Sequence, residues 1–179
     1  MRFLAYSIVE ILMSEYFKIL GKIDLHQALA QFEPIIQHMN ETGVDQFGLN
    51  GRIDSDGNLN FGEGVTRGKV NLQEWNRWRD DSYNSAWLRS FLDELSPRIV
   101  GRIRVMRVRP MSLAFNWHRD FTPRIHVPLI TQSDNFMVIK NESMHLYRGV
   151  YWWTDTTKFH TAMNCSKRDR FHLVIEVSE

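Results

Sequence analysis

The chain has 179 residues, with 22 Lys and Arg against 21 Asp and Glu and a formal net charge of +1. That length suits one domain with a buried core, and the near-neutral balance gives no global electrostatic case for a nucleic acid or a membrane surface as partner. No apolar run approaches the roughly 18 residues a membrane helix needs, and the single cysteine, Cys165, excludes an intrachain disulfide and fits a reducing, cytoplasmic setting.

Met1 to Met13 carries Arg2 and a short apolar run, loosely like a signal peptide. Glu10 interrupts it and no small-residue cleavage site follows, so a plain N-terminal extension is expected, with Met13 an alternative start. Residues 16–20 read as a short strand. Asp24 reads as an N-cap, and Leu25, Ala28, Phe32, Ile35, Ile36 and Met39 form a helical stripe. Pro34 falls inside that stripe and predicts a kink or a split, and Gly43 is the expected stop.

The glycine-rich stretch from Gly48 to Arg67 reads as loop plus hairpin. Within it, Asp54-Ser55-Asp56-Gly57 resembles the start of a calcium loop. The glycine arrives too early and no Glu closes the loop, so a turn is the better account. A second helix is expected after Asn84 or Ser85, with Trp87, Leu88, Phe91, Leu92 and Leu95 on its apolar face and Ser96-Pro97 at its end. Trp75 and Trp78 just before it read as core packing or as the lining of a substrate mouth.

The chain changes character near Pro97. Beyond it, strand-like pieces are expected at 101–109, 112–118, 123–130, 135–139, 143–147, 150–155, 158–164 and 169–177, separated by turn signals. Eight short antiparallel strands predict a mainly β fold, a double-sheet jelly roll of cupin-like architecture, with the N-terminal helices packed on one sheet. The expected organisation is one domain over 1–179. Residues 1–97 would form an N-terminal α/β elaboration and 98–179 a jelly-roll core that carries the functional site. Arg102, Arg104, Arg107 and Arg109 read either as a basic patch or as the exposed face of a strand.

The candidate chemistry lies in that core. His118 and Asp120 are two apart, which places both on one face of a strand, and His160 follows in the seventh predicted strand. Two imidazoles and a carboxylate form a facial ligand set that suits non-haem Fe(II), and the same donors suit zinc, nickel or manganese. Cys165 lies five residues after His160, but a thiolate is an odd addition to such a set. Arg170 stands ten residues past His160 in an otherwise apolar strand. A buried guanidinium needs a partner: a bound carboxylate would match its planar fork, and an internal salt bridge to Glu176 or Asp120 is the alternative. Arg124 and His126 share a strand face and would point at the same cavity if that face is interior. His145 and His172 read as structural or surface residues.

Taken in order, His118-Arg119-Asp120, Arg124-Ile125-His126-Val127-Pro128-Leu129, Gly149 with Tyr151-Trp152, His160-Thr161-Ala162-Met163-Asn164 and Arg170-Phe171-His172-Leu173 resemble the aspartyl/asparaginyl β-hydroxylase family of Fe(II)- and 2-oxoglutarate-dependent oxygenases. The resemblance spans about Arg102 to Val177. It implies a double-stranded β-helix in which His118, Asp120 and His160 bind Fe(II). It further implies that Arg170 holds the distal carboxylate of 2-oxoglutarate, with Arg124 and His126 contributing to co-substrate binding. The best-known animal members carry glycine in place of the acidic residue; by keeping Asp120 this chain is more similar to small bacterial and phage-type members and to free-proline hydroxylases. The implied activity is hydroxylation, with O2 and 2-oxoglutarate, of an amino-acid side chain, free or in a peptide or protein. Two other readings fit the residues: a metal-dependent jelly-roll enzyme that does not use 2-oxoglutarate, and a non-catalytic cupin-like binding module. Arg107, Arg109, Trp75, Trp78 and Trp87 are candidate gate residues.

Overall fold

The computed structural model describes residues 14–64, 70–114 and 116–179. The N-terminal extension read at Met1 to Met13, and the end of the glycine-rich stretch at 65–67, lie outside the described residues.

The first described elements are β1 (Phe17–Lys22) and α1 (Leu25–Thr42). Asp24 caps α1 by accepting from the Gln27 N–H, and Gly43 closes it at φ +76°, a left-handed conformation that glycine adopts without a Cβ penalty. The helix is continuous through Pro34, against the expectation of a split. Pro34 and Ala30 both lie on the exposed side. The hydrogen bond the proline cannot make therefore falls where water can satisfy the Ala30 carbonyl.

Three short strands follow: β2 (Gln46–Gly48), β3 (Asn50–Ile53) and β4 (Leu59–Asn60). β3 and β4 form the expected hairpin. In its turn Asp54 Oδ1 accepts from the Asp56 and Asn58 N–H groups and Gly57 sits at φ +82°. The carboxylate is spent on the backbone, as an Asx-type turn requires. After β5 (Arg77–Trp78), α2 (Ala86–Glu94) begins at Ser85, whose Oγ accepts from the Leu88 N–H.

The second half supplies β6 (Val100–Val108), β7 (Ser112–Leu113), β8 (Arg124–Ile130), β9 (Asn135–Ile139), β10 (Glu142–Met144), β11 (Val150–Thr154), β12 (His160–Asn164) and β13 (Arg170–Val177). They form the jelly roll. One sheet runs β1-β11-β8-β13-β6-β2 and the other β10-β9-β12-β7, with every pairing antiparallel. The edge strands β1 and β2 of the larger sheet come from before Pro97. One expected strand is corrected: 112–118 is regular only at Ser112–Leu113. Ala114 N–H still reaches the Ala162 carbonyl, at 2.8 Å, and pairing resumes at His118 opposite His160. Four residues on this side thus span two on β12. Trp117, just before that bridge, is half exposed.

Alternation along β13 explains how the sheet is used. All eight residues are buried. Phe171, Leu173, Ile175 and Val177 join Ile103, Val105, Ile125 and Val127 against Phe32, Ile35 and Met39 of α1 and Leu88 and Phe91 of α2. Each large apolar side chain buried there is worth about 1.5–3 kcal/mol. Arg170, His172, Val174 and Glu176 point the other way, between the two sheets. Arg102 and Arg104 on β6 obey the same rule, whereas Arg107, opposite Phe171, lies on the helix side. Arg102, Arg104 and Arg107 are buried and only Arg109 is half exposed, so the expectation of a patch or an exposed strand face is wrong. Both faces of this strand are covered, the outer by the helices and the inner by the second sheet.

No helix among the described residues is long and apolar enough to cross a membrane. Leu173 is fully buried where helices and sheet meet. Leu173→Ala is expected to lower the unfolding free energy by about 2–5 kcal/mol, measured by urea denaturation; a loss below 1 kcal/mol would contradict this packing.

Candidate metal centre

His118 and His160 exchange two backbone hydrogen bonds, His118 N–H to the His160 carbonyl at 3.2 Å and the reverse at 2.9 Å. Residues paired in this way stand opposite one another and send their side chains to the same face. Their ring centroids lie 4.3 Å apart. Asp120, two residues on, is fixed by its own N–H to the Thr156 carbonyl at 2.9 Å, and Thr156 Oγ1 donates to the Thr122 carbonyl. One ligand atom from each of His118, Asp120 and His160 falls within 4.8 Å of the others. The three residues singled out in the sequence therefore come together.

Each imidazole has a backbone partner. His118 Nδ1 lies 2.8 Å from the Asn116 carbonyl and His160 Nδ1 lies 2.9 Å from the Lys158 carbonyl. A carbonyl only accepts, so Nδ1 carries the proton in both rings and Nε2 keeps its lone pair for a ligand. Burial lowers the His160 pKa despite the Lys158 carbonyl and Asp120 nearby, which favours the neutral ring a metal needs. Burial by itself would raise the Asp120 carboxyl. Arg124, with His160, His118 and Arg104 around it, holds the group below its usual value.

Behind the ligands runs a chain of buried ion pairs. Arg124 Nη2 reaches Asp120 Oδ2 at 3.1 Å and Glu176 Oε1 at 2.9 Å, and Glu176 also takes Arg102 Nη2 at 2.6 Å. Arg124 Nη1 donates to Thr122 Oγ1. Arg124 thus fixes the aspartate, in addition to lying on the interior face where co-substrate contact was expected. Glu176, read in the sequence only as an alternative partner for Arg170, is the hub. Arg102 and Glu176 belong to the site and were missed as such; the signal was their even-numbered phase with Arg124 and Arg170 on paired strands.

Deeper between the sheets, a cavity of about 50 Å3 is bounded by Arg104, Met106, His126, Met137, Ala162 and by His118, Asp120 and His160. His126 lines it with both ring nitrogens unpartnered, and leaving such groups unsatisfied costs about 1–3 kcal/mol each. Its ring meets His172 edge-on, with centroids 5.7 Å apart. Arg170 lies along His172, its Nε 3.0 Å from Nε2 and its Nη2 3.0 Å from Nδ1. Neither Asp120 nor Glu176 pairs with Arg170; both are taken by other arginines. Burial pushes the Arg170 pKa down to about 10. His172 is therefore buried beneath the predicted anchor, while His145 bonds the Asn135 carbonyl away from the site. A donor-rich, cationic cavity beside a neutral-His, carboxylate ligand set fits a divalent metal and an acidic chelator.

A larger pocket of about 380 Å3 opens outside the ligands, with Val70, Leu72, Trp117 and Phe121 among its walls and Arg102, Arg104, Arg124 and Glu176 at its base. None of the five proposed gate residues lines it. Trp87 stacks on Phe91, Trp78 packs on the helix-side core, Trp75 is buried against Arg52 and Arg102, and Arg107 and Arg109 pair with Asp45. Cys165 is exposed and stays outside the ligand group.

Comparison with known proteins adds the following. The family model described as Aspartyl/Asparaginyl beta-hydroxylase matches residues 74–179. No curated protein matches. Among solved structures, AviO1 from Streptomyces viridochromogenes is similar with a TM-score of 0.56 and 13% identity, over 96% of this chain and 93% of that one. The viral collagen prolyl hydroxylase of Paramecium Bursaria Chlorella virus-1, solved as a 2OG complex, gives 0.50 and 12% over 92% and 96%. The non-heme monooxygenase ThoJ gives 0.55 and 12% over 94% and 76%. At these identities the likeness is one of fold.

Two outcomes follow from the electrostatics. Glu176→Gln leaves Arg102 and Arg124 without their shared counter-charge, and is expected to cost about 3–5 kcal/mol of stability in chemical denaturation; a near-neutral result would mean the ion chain is not formed. Burial, then Arg170, holds the pKa values of both His126 and His172 well below 6.5. Folded values below unfolded ones mean the unfolded chain binds more protons, so stability is full above about pH 6.5 and falls as pH drops below it, by up to about 1.4 kcal/mol per pH unit for each ring. Melting of the metal-free protein between about pH 8 and pH 5 should show that fall, shallower in His126→Gln; a flat wild-type profile would contradict it.

Proposed function

Because the chain belongs to the aspartyl/asparaginyl β-hydroxylase family, we propose that it is an Fe(II)- and 2-oxoglutarate-dependent oxygenase that hydroxylates an amino-acid side chain, free or in a peptide or protein. The single observation that carries this reading is the convergence of His118, Asp120 and His160 beside a cavity lined by an unsatisfied His126. Buried Arg170 stands behind that cavity, without a carboxylate partner among the described residues.

In this reading His118 Nε2, His160 Nε2 and Asp120 hold the metal. Arg170 receives the distal carboxylate of the co-substrate through its planar fork. His126 satisfies one of its free nitrogens on the same molecule, and Arg124 supports it while orienting Asp120. When bound, the metal and co-substrate supply the oxidation of a C–H bond to C–OH by O2, with 2-oxoglutarate leaving as succinate and carbon dioxide. The side chains supply position and charge. The Asn116 and Lys158 carbonyls keep both imidazoles in the ligating tautomer, and Arg124 keeps Asp120 ionised. The apolar surfaces of Met106, Met137, Ala162 and Val174 limit water beside the reacting centre. No side chain needs to act as a general base.

The test is 2-oxoglutarate turnover in the presence of Fe(II), followed as succinate. His160→Ala is expected to abolish it, and Arg170→Ala to raise the 2-oxoglutarate concentration required by at least about tenfold, the loss of one charged bidentate contact. Undiminished turnover in the first variant, or an unchanged requirement in the second, would refute the assigned roles.

A further inference from the structure

We propose that this chain oxidises itself at two methionines of the inner cavity, Met137 and Met106. With no substrate in the outer pocket, one oxygen atom is delivered to a thioether sulfur and gives methionine sulfoxide. The inference rests on the oxygenase reading and goes beyond it by naming an acceptor inside the protein.

The inner cavity brings oxidisable sulfur to the ligand group. His118, Asp120 and His160 share its wall with Met106 and Met137, and no other sulfur among the described residues lines it. Strand pairing places Met137. His160 on β12 stands opposite Ile139 on β9, and Ala162 stands opposite Met137. Paired residues share a face of the sheet, so Met137 is the diagonal neighbour of His160 on the interior side. Such neighbours lie roughly 7–8 Å apart, within reach of a long side chain. Met106 comes from the larger sheet, opposite His172 on β13. The two thioethers therefore approach the cavity from opposite walls.

Sulfur is the easiest acceptor on those walls. The aliphatic neighbours Ala114, Ala162 and Val174 offer only C–H bonds, which must break before oxygen is added. A thioether offers a polarisable lone pair and takes up oxygen without losing a bond, the reversible first step of methionine oxidation. The step balances with the co-substrate already proposed. One atom of O2 goes to sulfur, whose lone pair forms the S–O bond, and the other goes to the new carboxylate of succinate. The bond between the keto carbon of 2-oxoglutarate and its adjacent carboxylate breaks and releases carbon dioxide. Sulfur and the keto acid each give up an electron pair to O2, and no proton moves. Burial separates this route from ordinary damage. Met137 is 2% exposed, whereas Met111 is 74% exposed. A dissolved oxidant meets Met111 first, and an oxidant confined to the metal centre meets Met137 first. The product is an added acceptor in a cavity where both ring nitrogens of His126 lack partners.

The experiment is peptide mapping by tandem mass spectrometry on the full chain, loaded with Fe(II) and exposed to 2-oxoglutarate and isotopically labelled O2. No amino acid or peptide is added, catalase is present to remove peroxide, and succinate is measured in parallel. Met137, Met106 or both are expected to gain one labelled oxygen atom, at least about tenfold faster than Met111. The gain should vanish when Zn(II) replaces Fe(II), when 2-oxoglutarate is omitted, and in His160→Ala. Succinate formed while both cavity methionines stay unmodified would overturn the proposal and leave the oxygenase reading standing. Modification led by Met111, or equally fast without 2-oxoglutarate, would also overturn it. A wild type that yields neither succinate nor sulfoxide would overturn both.

Discussion

Arg124 gives one nitrogen to two carboxylates, Asp120 at 3.1 Å and Glu176 at 2.9 Å, and the rest of the site depends on that shared contact. Asp120 lies in the irregular segment after β7, outside any strand. Without a fixed partner its carboxylate would have no defined place relative to the two imidazoles. Glu176 and Arg102 carry the constraint into β13 and β6, central strands whose other faces are locked under the helices. The stability of the apolar layer is in this way converted into position at the metal centre.

The arrangement is costly by design of the fold. An interior holding Arg102, Arg104, Arg124, Arg170, Glu176 and three buried histidines forgoes apolar packing, and replacing such groups by hydrophobic ones often stabilises a protein. Except for His160 on β12, the cost is concentrated on one side of the larger sheet. The opposite side of the same strands is apolar, and a second cluster around Phe17, Met137, Ile139 and Trp152 closes the far end between the sheets. The outer layer and the end cluster that flank this charge are both apolar.

Much of this was legible in the sequence. Regular turn signals marked the strand count, and the H-x-D pair with the distant His160 pointed to three residues that do lie close together, although neither His118 nor Asp120 stands in a regular strand. The jelly roll expected from those signals is the fold observed. Three things were not legible, each for a local reason. Arg102 and Arg104 alternate with Ile103 and Val105, a pattern that elsewhere means one wet face; here the second sheet covers it, which no local pattern reports. The segment from Ser112 to His118 reads as uninterrupted strand, whereas regular pairing with β12 is found only at Ser112 and Leu113 and at the His118 bridge. Trp117 and Phe121, the aromatics that do line the outer pocket, flank the metal motif and carry no periodicity, whereas Trp87 follows the helical stripe and sits in the core.

The central claim, that His118, Asp120 and His160 surround one ion, is tested most directly by anaerobic titration with Co(II), followed by its d–d absorption and by metal content after gel filtration. The account predicts one ion per chain in the wild type and none retained when Asp120 and His160 are both replaced by alanine in a chain that still folds. Equal retention in that double variant, or no ion bound by the wild type, would contradict it.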